Sequence, residues 1–274
     1  MKKIIDDIKS NGRQIFEIII LAFITVLPLF LDLSEIFKEY LEENPISPDN
    51  FLMNLAVRKG NYIASLIFIG VTLYFLRRIN DGYTMNQKYI YHDYPYAWYW
   101  ICAKVLSIKK CNLVLVPIHM QFKLVIRATF DDYPLEESDY PPDDYEMDCQ
   151  IQEKNSSMSD NEINLLLEDT YKLGLRQLPK SKQGLKTIKI SRNNGVDMSR
   201  HFSQKFIDTV INQVRSLSGG TVINVYATTN PMNTKHLASS AFGLGDRGNI
   251  AHLYVFQQSK NGIRRFEEKG YRIY

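Results

Sequence analysis

Two short segments carry the side chains best suited to chemistry. Arg192-Asn193-Asn194-Gly195 and Thr228-Thr229-Asn230-Pro231 each concentrate small hydrogen-bonding groups. Helices beginning near Ser199 and Thr234 would set free backbone N–H groups beside them, which favours anions. Asn, Thr and Pro are also ordinary turn formers, so a purely structural role stays open. His201 and His236 lie at the same helix starts, as phosphate contacts or as surface imidazoles with no role. No phosphate-loop G-x-x-x-x-G-K-[ST], G-x-S-x-G or H-E-x-x-H occurs. Gly243-Leu244-Gly245-Asp246-Arg247-Gly248 has G-x-G-x-x-G spacing, yet it follows an expected helix and precedes an expected strand, the reverse of a dinucleotide fingerprint. Cys102, Cys111 and Cys149 are too dispersed for a zinc quartet and too few for a disulfide framework. No catalytic residue, metal or cofactor is therefore expected, and an enzyme is the weaker reading.

The elements that must position these loops follow from hydrophobic spacing. Residues 185–190, 221–227 and 250–256 read as strands rich in β-branched side chains. Phe202, Phe206, Ile207, Val210, Ile211, Val214 and Leu217 recur at helical spacing, giving a helix over 199–217 that Gly219-Gly220 ends. A shorter helix covers 234–242, and a last helix and strand follow. Strand and helix in alternation predict an α/β fold with a largely parallel sheet and helices outside it. Ligands of such sheets bind beyond the carboxyl ends of the strands, where both loops fall. Upstream, 97–106 reads as a helix and 112–116 and 122–130 as strands. Ser159 with Glu162 forms a capping box for a helix through Ile163, Leu166 and Leu167, with Gly174 at its far end.

The chain has 274 residues, a net charge of +3, 45% apolar residues and 23% charged ones. This excludes a mainly disordered chain, and the lack of any fixed period excludes collagen, coiled coil and repeat arrays. The mean hides local extremes. Residues 130–148 hold nine acids and no base, with Pro134, Pro141 and Pro142 among them. Such a stretch reads as a solvated loop or a site for a hard cation, but it lacks the glycine and terminal Glu of an EF-hand loop. Residues 171–274 hold 17 basic and five acidic side chains, a surplus of +12. That field attracts a nucleotide, a nucleic acid or an anionic lipid surface, or complements the chain's own acidic loop.

Residues 18–31 and 62–76 are uncharged apolar runs of 14 and 15 residues. Flanking apolar residues and snorkelling Arg77 and Arg78 extend them toward the roughly 20 residues of a membrane span. Buried core helices are the alternative. Lys2, Lys3, Lys9 and Arg13 precede the first run, and Arg77, Arg78 and Lys88 follow the second, while the connection is acidic on balance. This pattern predicts a multi-pass protein of the plasma (inner) membrane, with both termini cytoplasmic. The expected division is a helical hairpin over 1–80, with spans near 15–33 and 60–77, and a cytosolic α/β domain over 81–274. The aromatic stretch from Tyr89 to Trp100 could stack bases or sit at the lipid interface.

Val222-Ile-Asn-Val-Tyr-Ala-Thr-Thr-Asn-Pro231, a helix with Ala238 and Ala241, Phe242-Gly243-Leu-Gly245, and the strand Ala251-His-Leu-Tyr-Val-Phe256 together resemble the closing part of SAVED domains. These are fused Rossmann-like halves that sense cyclic oligonucleotides in bacterial antiphage signalling, and they occur joined to two-helix membrane modules. The resemblance covers mainly residues 186–274. It implies a Rossmann-like sensor that binds a cyclic oligonucleotide or related anionic nucleotide, forms a homo-oligomer and perturbs the bilayer. Arg192, Asn193, Thr228, Thr229, Asn230 and Lys235 would carry recognition, the cations on phosphates and the loop groups on the ring. A membrane-tethered enzyme on a phosphorylated substrate and a non-catalytic scaffold are the alternatives.

Overall fold

The computed structural model describes residues 2–43, 51–143, 148–195, 197–243, 250–259 and 264–274. The contacts divide the chain into two units, Met1–Lys88 with Ala97–Lys109, and Tyr89–Tyr96 with Lys110–Tyr274.

The first unit is helical. It comprises α1 (Lys2–Phe30), α2 (Leu33–Glu43), α3 (Phe51–Ile79), the short β1 (Thr84–Met85) and most of α4 (Tyr96–Lys104). At 1.5 Å per residue, α1 and α3 are each about 43 Å long. Within them Asn11–Phe30 and Arg58–Ile79 are long and apolar enough to cross a bilayer, and only 17% of each apolar window is buried. Phe16, Ile19 and Phe23 on α1 and Leu66 and Tyr74 on α3 are largely exposed. A water-soluble core helix would hide such residues. The polar groups of α1 gather instead at one end. Glu17 accepts Arg13 Nε at 2.9 Å and Asn80 Nδ2 at 2.8 Å, and Asn80 Oδ1 accepts Arg13 Nη2 at 2.8 Å. Asn80 Nδ2 also donates to the Leu106 carbonyl at 3.1 Å, and Trp98 Nε1 donates to Asn11 Oδ1 at 3.1 Å. These bonds satisfy buried polar atoms below the apolar stretch, as a helix entering lipid requires.

The second unit is built on a six-stranded mixed sheet. Its strands are β3 (Gln150–Lys154), β4 (Glu162–Glu168), β5 (Lys186–Ser191), β6 (Thr221–Ala227), β7 (Ile250–Phe256) and β8 (Tyr271–Arg272), in the order β3-β5-β4-β6-β7-β8. The inner four are parallel, and β3 and β8 pair antiparallel at the edges. Strands β5, β6 and β7 fall where the β-branched runs predict. Gly220, at φ +84°, makes the turn into β6.

Two upstream expectations are reversed. Residues 163–167 form the central strand β4, not a helix, because Ile-Asn-Leu-Leu-Leu is covered on both faces. Such strands read as continuous apolar runs, which periodicity cannot separate from a helix. Residues 122–130 hold no strand; helix α5 (Ile118–Ile126) occupies most of them. Pro117 precedes its first turn, and Ile118, Phe122, Val125 and Ile126 share one face against the core. Residues 112–116 are a loop after β2 (Lys110–Cys111), and the expected last helix is absent among the described residues. Helix α6 (Gln204–Arg215) starts five residues later than expected, capped by Ser203 Oγ on the Phe206 N–H. Helix α7 (Pro231–Ser240) starts three residues earlier, capped by Asn230.

Helices α5, α6 and α7 all pack on one sheet face, around Leu165, Ile188, Val225 and Val255. Leu173, Leu178 and Phe266, from outside the helices and strands, cover Leu166, Tyr226 and Phe256 on the other. The β4–β5 connection carries only 3-10 turns. The layout is thus mixed α/β, with α5, α6 and α7 on one face of the sheet. The segment Tyr89–Tyr96 belongs to this unit, although its neighbours in sequence on both sides, Lys88 and Ala97, belong to the other. The His92 N–H donates to the Leu115 carbonyl at 2.9 Å, and Tyr96 lies against Thr129 and Lys123.

Candidate functional site

Strand β4 leads toward β5 on one side, and β6 leads through α7 to β7 on the other. Their carboxyl ends therefore flank a topological switch point, the place where open α/β sheets bind ligands. Asp169 follows β4 directly and is fully buried there. Its Oδ1 accepts Arg192 Nε at 2.6 Å. Its Oδ2 accepts the Asn230 N–H at 2.9 Å and the side-chain amides of Asn230 and Asn233, each at 3.0 Å. Both amides also donate to the His201 carbonyl. One carboxylate thus ties the loops after β4, β5 and β6 together. Burial raises its pKa, against the pull of the Asn230 N–H, Asn233 and Arg192.

Arg192, expected on a phosphate, faces inward and is 0% exposed. Besides Asp169 it reaches both oxygens of Asp143 through Nη1, at 2.7 and 3.0 Å. Its Nη2 donates to the carbonyls of Asp197 and Ser199. Burial works against its charge, and Asp169 and Asp143 more than reverse that, so its pKa rises. All the N–H directions of the guanidinium are spent on the protein. Asn193 Nδ2 joins the same cluster at 3.3 Å from Asp143 Oδ1. Lys235 is not brought to it. Its Nζ donates to the Tyr133 carbonyl at 2.8 Å and lies 3.6 Å from Asp132. Lys205 pairs with Asp148. Three acids of the 130–148 stretch are therefore held by basic residues of the C-terminal segment. Asp143, Asp197 and His201 approach one another closely enough to share a cation. Their atoms already serve internal partners, with Arg192 on Asp143 and Ser199 on Asp197. The G-x-G-x-x-G motif lies mostly outside the described residues.

Above this network opens a cavity of about 390 Å3. Thr228, Thr229, Asn230 and Pro231 form one wall, at the start of α7. Thr228 Oγ1 accepts the Asp169 N–H at 3.1 Å, and Thr229 Oγ1 meets Thr234 Oγ1 at 2.7 Å. Tyr89 and Tyr91 of the 89–96 segment line it, with Arg200 exposed at its edge. Burial, then Asp93, Glu267 and Tyr271, pushes the Tyr91 phenol up to about 12, so it remains protonated. No Asp or Glu is among the described lining residues. Gln121 and Gln258 complete the lining. Gln121 Nε2 donates to the Val116 carbonyl at 2.8 Å, but its Oε1 is buried without a partner among the described residues, as is Gln258 Nε2. Each such group costs about 1–3 kcal/mol when left unpaired. Neither glutamine carries a motif that the sequence reveals.

A larger cavity of about 610 Å3 lies between Asp93–Tyr96, α5 and β8. His119 stacks on Tyr271 there at 3.6 Å, and burial lowers its pKa. Asp93 and Glu267 sit among its basic residues, which suits an anion less well than the acid-free cavity.

Residues 1–274 match the family model of the SUa-2TM, the SMODS- and Ubiquitin system-associated 2TM effector domain. A search of curated proteins gave no match.

Proposed function

Since the chain belongs to the SMODS- and ubiquitin-system-associated 2TM effector domain family, we propose that it is a membrane effector of antiphage defence that responds to a nucleotide. Its α/β unit binds a cyclic oligonucleotide or a related anionic nucleotide, bound copies assemble into a homo-oligomer, and their clustered hairpins perturb the inner membrane. The observation that carries this reading is the acid-free cavity at the β4–β6 switch point, with Thr228, Thr229 and Asn230 in its wall. The likeness of 222–256 to SAVED domains supports the choice of ligand. Arg192 and Asn193 act beneath the site by holding its loops, Arg200 takes the phosphate-facing role, and Lys235 stays with the acidic stretch. The ligand must favour the assembled state, since equal affinity for both states shifts nothing.

Thermal unfolding of the full-length protein in detergent micelles tests this. A cyclic di- or trinucleotide should raise the midpoint and be recovered intact; at a hundred times its Kd the stabilisation is about 2.7 kcal/mol. Arg200→Glu should remove most of that gain. A panel of such nucleotides that leaves the midpoint unmoved would sink the proposal.

Both termini lie on the cytoplasmic side in this reading, because basic residues flank the outer ends of the apolar pair. A cysteine at Glu39 in α2 should react with an impermeant thiol reagent on intact cells, and one at Ser157 only after lysis. Equal labelling of the two from outside rejects this topology.

A further inference from the structure

One face of α3 changes character where the apolar stretch ends. Gly70, Leu73, Tyr74 and Arg77 recur at helical spacing and so share that face, with Arg78 beside them in the last turn. Together with Asp81, and with Ser107 and Lys109 after α4, they line an open cavity of about 540 Å3. One end of it lies within the apolar segment Arg58–Ile79, where Tyr74 is 60% exposed. Gly70 lies about 10 Å along the helix axis from Arg77, and a side-chain carbon placed on it would meet no atom within 4 Å. The other end is cationic. Lys109 Nζ pairs with Asp81 Oδ1 at 2.7 Å, which neutralises the only acid in the described lining. Arg77 and Arg78 are exposed and have no ion-pair or hydrogen-bond partner among the described residues. An apolar wall at lipid depth thus runs into two uncommitted guanidinium groups.

We propose that this cavity binds an anionic phospholipid, whose phosphate accepts from Arg77 and Arg78 and whose acyl chain runs along Leu73 and Tyr74 past Gly70. The proposal needs α3 to cross a bilayer and does not depend on the nucleotide reading. The planar donor fork of arginine suits phosphate oxygens. Arg77, Arg78 and Lys109 against Asp81 leave the lining at +2, which favours an anionic headgroup over a zwitterionic one. A soluble phosphate would answer the arginines and leave the apolar wall bare, whereas a phospholipid carries both halves in one molecule. Basic pockets beside membrane helices hold such headgroups. Ser107 and Lys109 follow α4, so the bound lipid also fastens that turn to the end of α3.

The test is native mass spectrometry of the full-length protein in micelles, with phosphatidylglycerol and phosphatidylcholine of matched acyl chains added in equal amounts. Wild type should retain one phosphatidylglycerol in preference by about tenfold or more, the scale of one charge-assisted bond. Arg77→Gln combined with Arg78→Gln should bring the two lipids to within about twofold of one another. Lys104→Gln removes a cation that is exposed on α4 and does not line the cavity, so it should leave the preference intact. Gly70→Leu keeps every charge and enters open space. It should lower retention of phosphatidylglycerol about tenfold, the worth of roughly two buried methylenes. Its thermal midpoint should stay at or above that of wild type, which separates misfolding from a blocked site. Glycerol 3-phosphate, the headgroup anion without acyl chains, should displace little lipid even at about a hundredfold excess. Displacement at equal concentration would show a site for free phosphate and overturn the lipid assignment. Equal retention of both lipids by wild type, a preference that survives in the double arginine variant, or one lost as fully in Lys104→Gln would each overturn the site in favour of diffuse charge attraction. Unchanged retention in Gly70→Leu would overturn the acyl path.

Discussion

Asp169→Ala should cost the α/β unit about 3–5 kcal/mol, the range for removing one partner of a buried ion pair. Arg192, 0% exposed, would keep its charge and lose the carboxylate at its Nε. The loop before α7 would lose the acceptor of the Asn230 N–H and of two side-chain amides. Asp143 would still hold Nη1, which keeps the loss within that range. The readout is the thermal midpoint of the full-length protein in micelles, followed by circular dichroism of the sheet. Lys235→Ala is the control. Its side chain is 31% exposed and faces Asp132 across 3.6 Å, so its loss should stay under about 1 kcal/mol. Equal losses in the two variants would show that the buried pair does not hold the loops together.

Ile19→Lys combined with Phe23→Lys should abolish membrane insertion of α1. The two residues are 59% and 60% exposed and lie one turn apart on one face. A lysine near the middle of a span costs about 2.5–3.5 kcal/mol, so the pair shifts insertion by roughly 10^4-fold. The protein should leave the carbonate-resistant membrane fraction, and cells carrying it with the cyclic nucleotide proposed as its ligand should keep their membrane integrity. Retention in the membrane with undiminished toxicity would mean that this face does not meet lipid.

Much of this was legible in the sequence, and the failures have physical causes. The runs at 185–190, 221–227 and 250–256 could be read because β-branched residues, turn glycines and amphipathic helices alternate around them. The run Ile163-Asn-Leu-Leu-Leu167 could not, since a strand buried on both faces has no alternation to detect. Arg192 was visible as a cation at the end of a strand, but sequence does not reveal whether such a group turns outward or inward. The clue lay far off, in Asp143 of the acidic stretch, whose charge is complementary. Asp169 gave no signal at all. A carboxylate after an apolar strand looks like any surface acid until three loops converge on it. The loop Thr228-Thr229-Asn230-Pro231 could be placed after its strand, but the helix start could not: Asn230 caps a helix that begins at Pro231, three residues ahead of the one expected.

The path of the chain around Tyr89–Tyr96 limits how such an effector can be rebuilt. It passes between the two units after Lys88, after Tyr96 and again after Lys109, not once through a tether. The α/β unit could not be exchanged by recombination at a single junction. A graft at residue 80 or 88 would bring a foreign 97–109 to a hairpin whose Asn11 and Asn80 are matched to Trp98 and the Leu106 carbonyl. The inheritable cassette is therefore the interleaved whole, so hairpin and α/β unit should change together through descent.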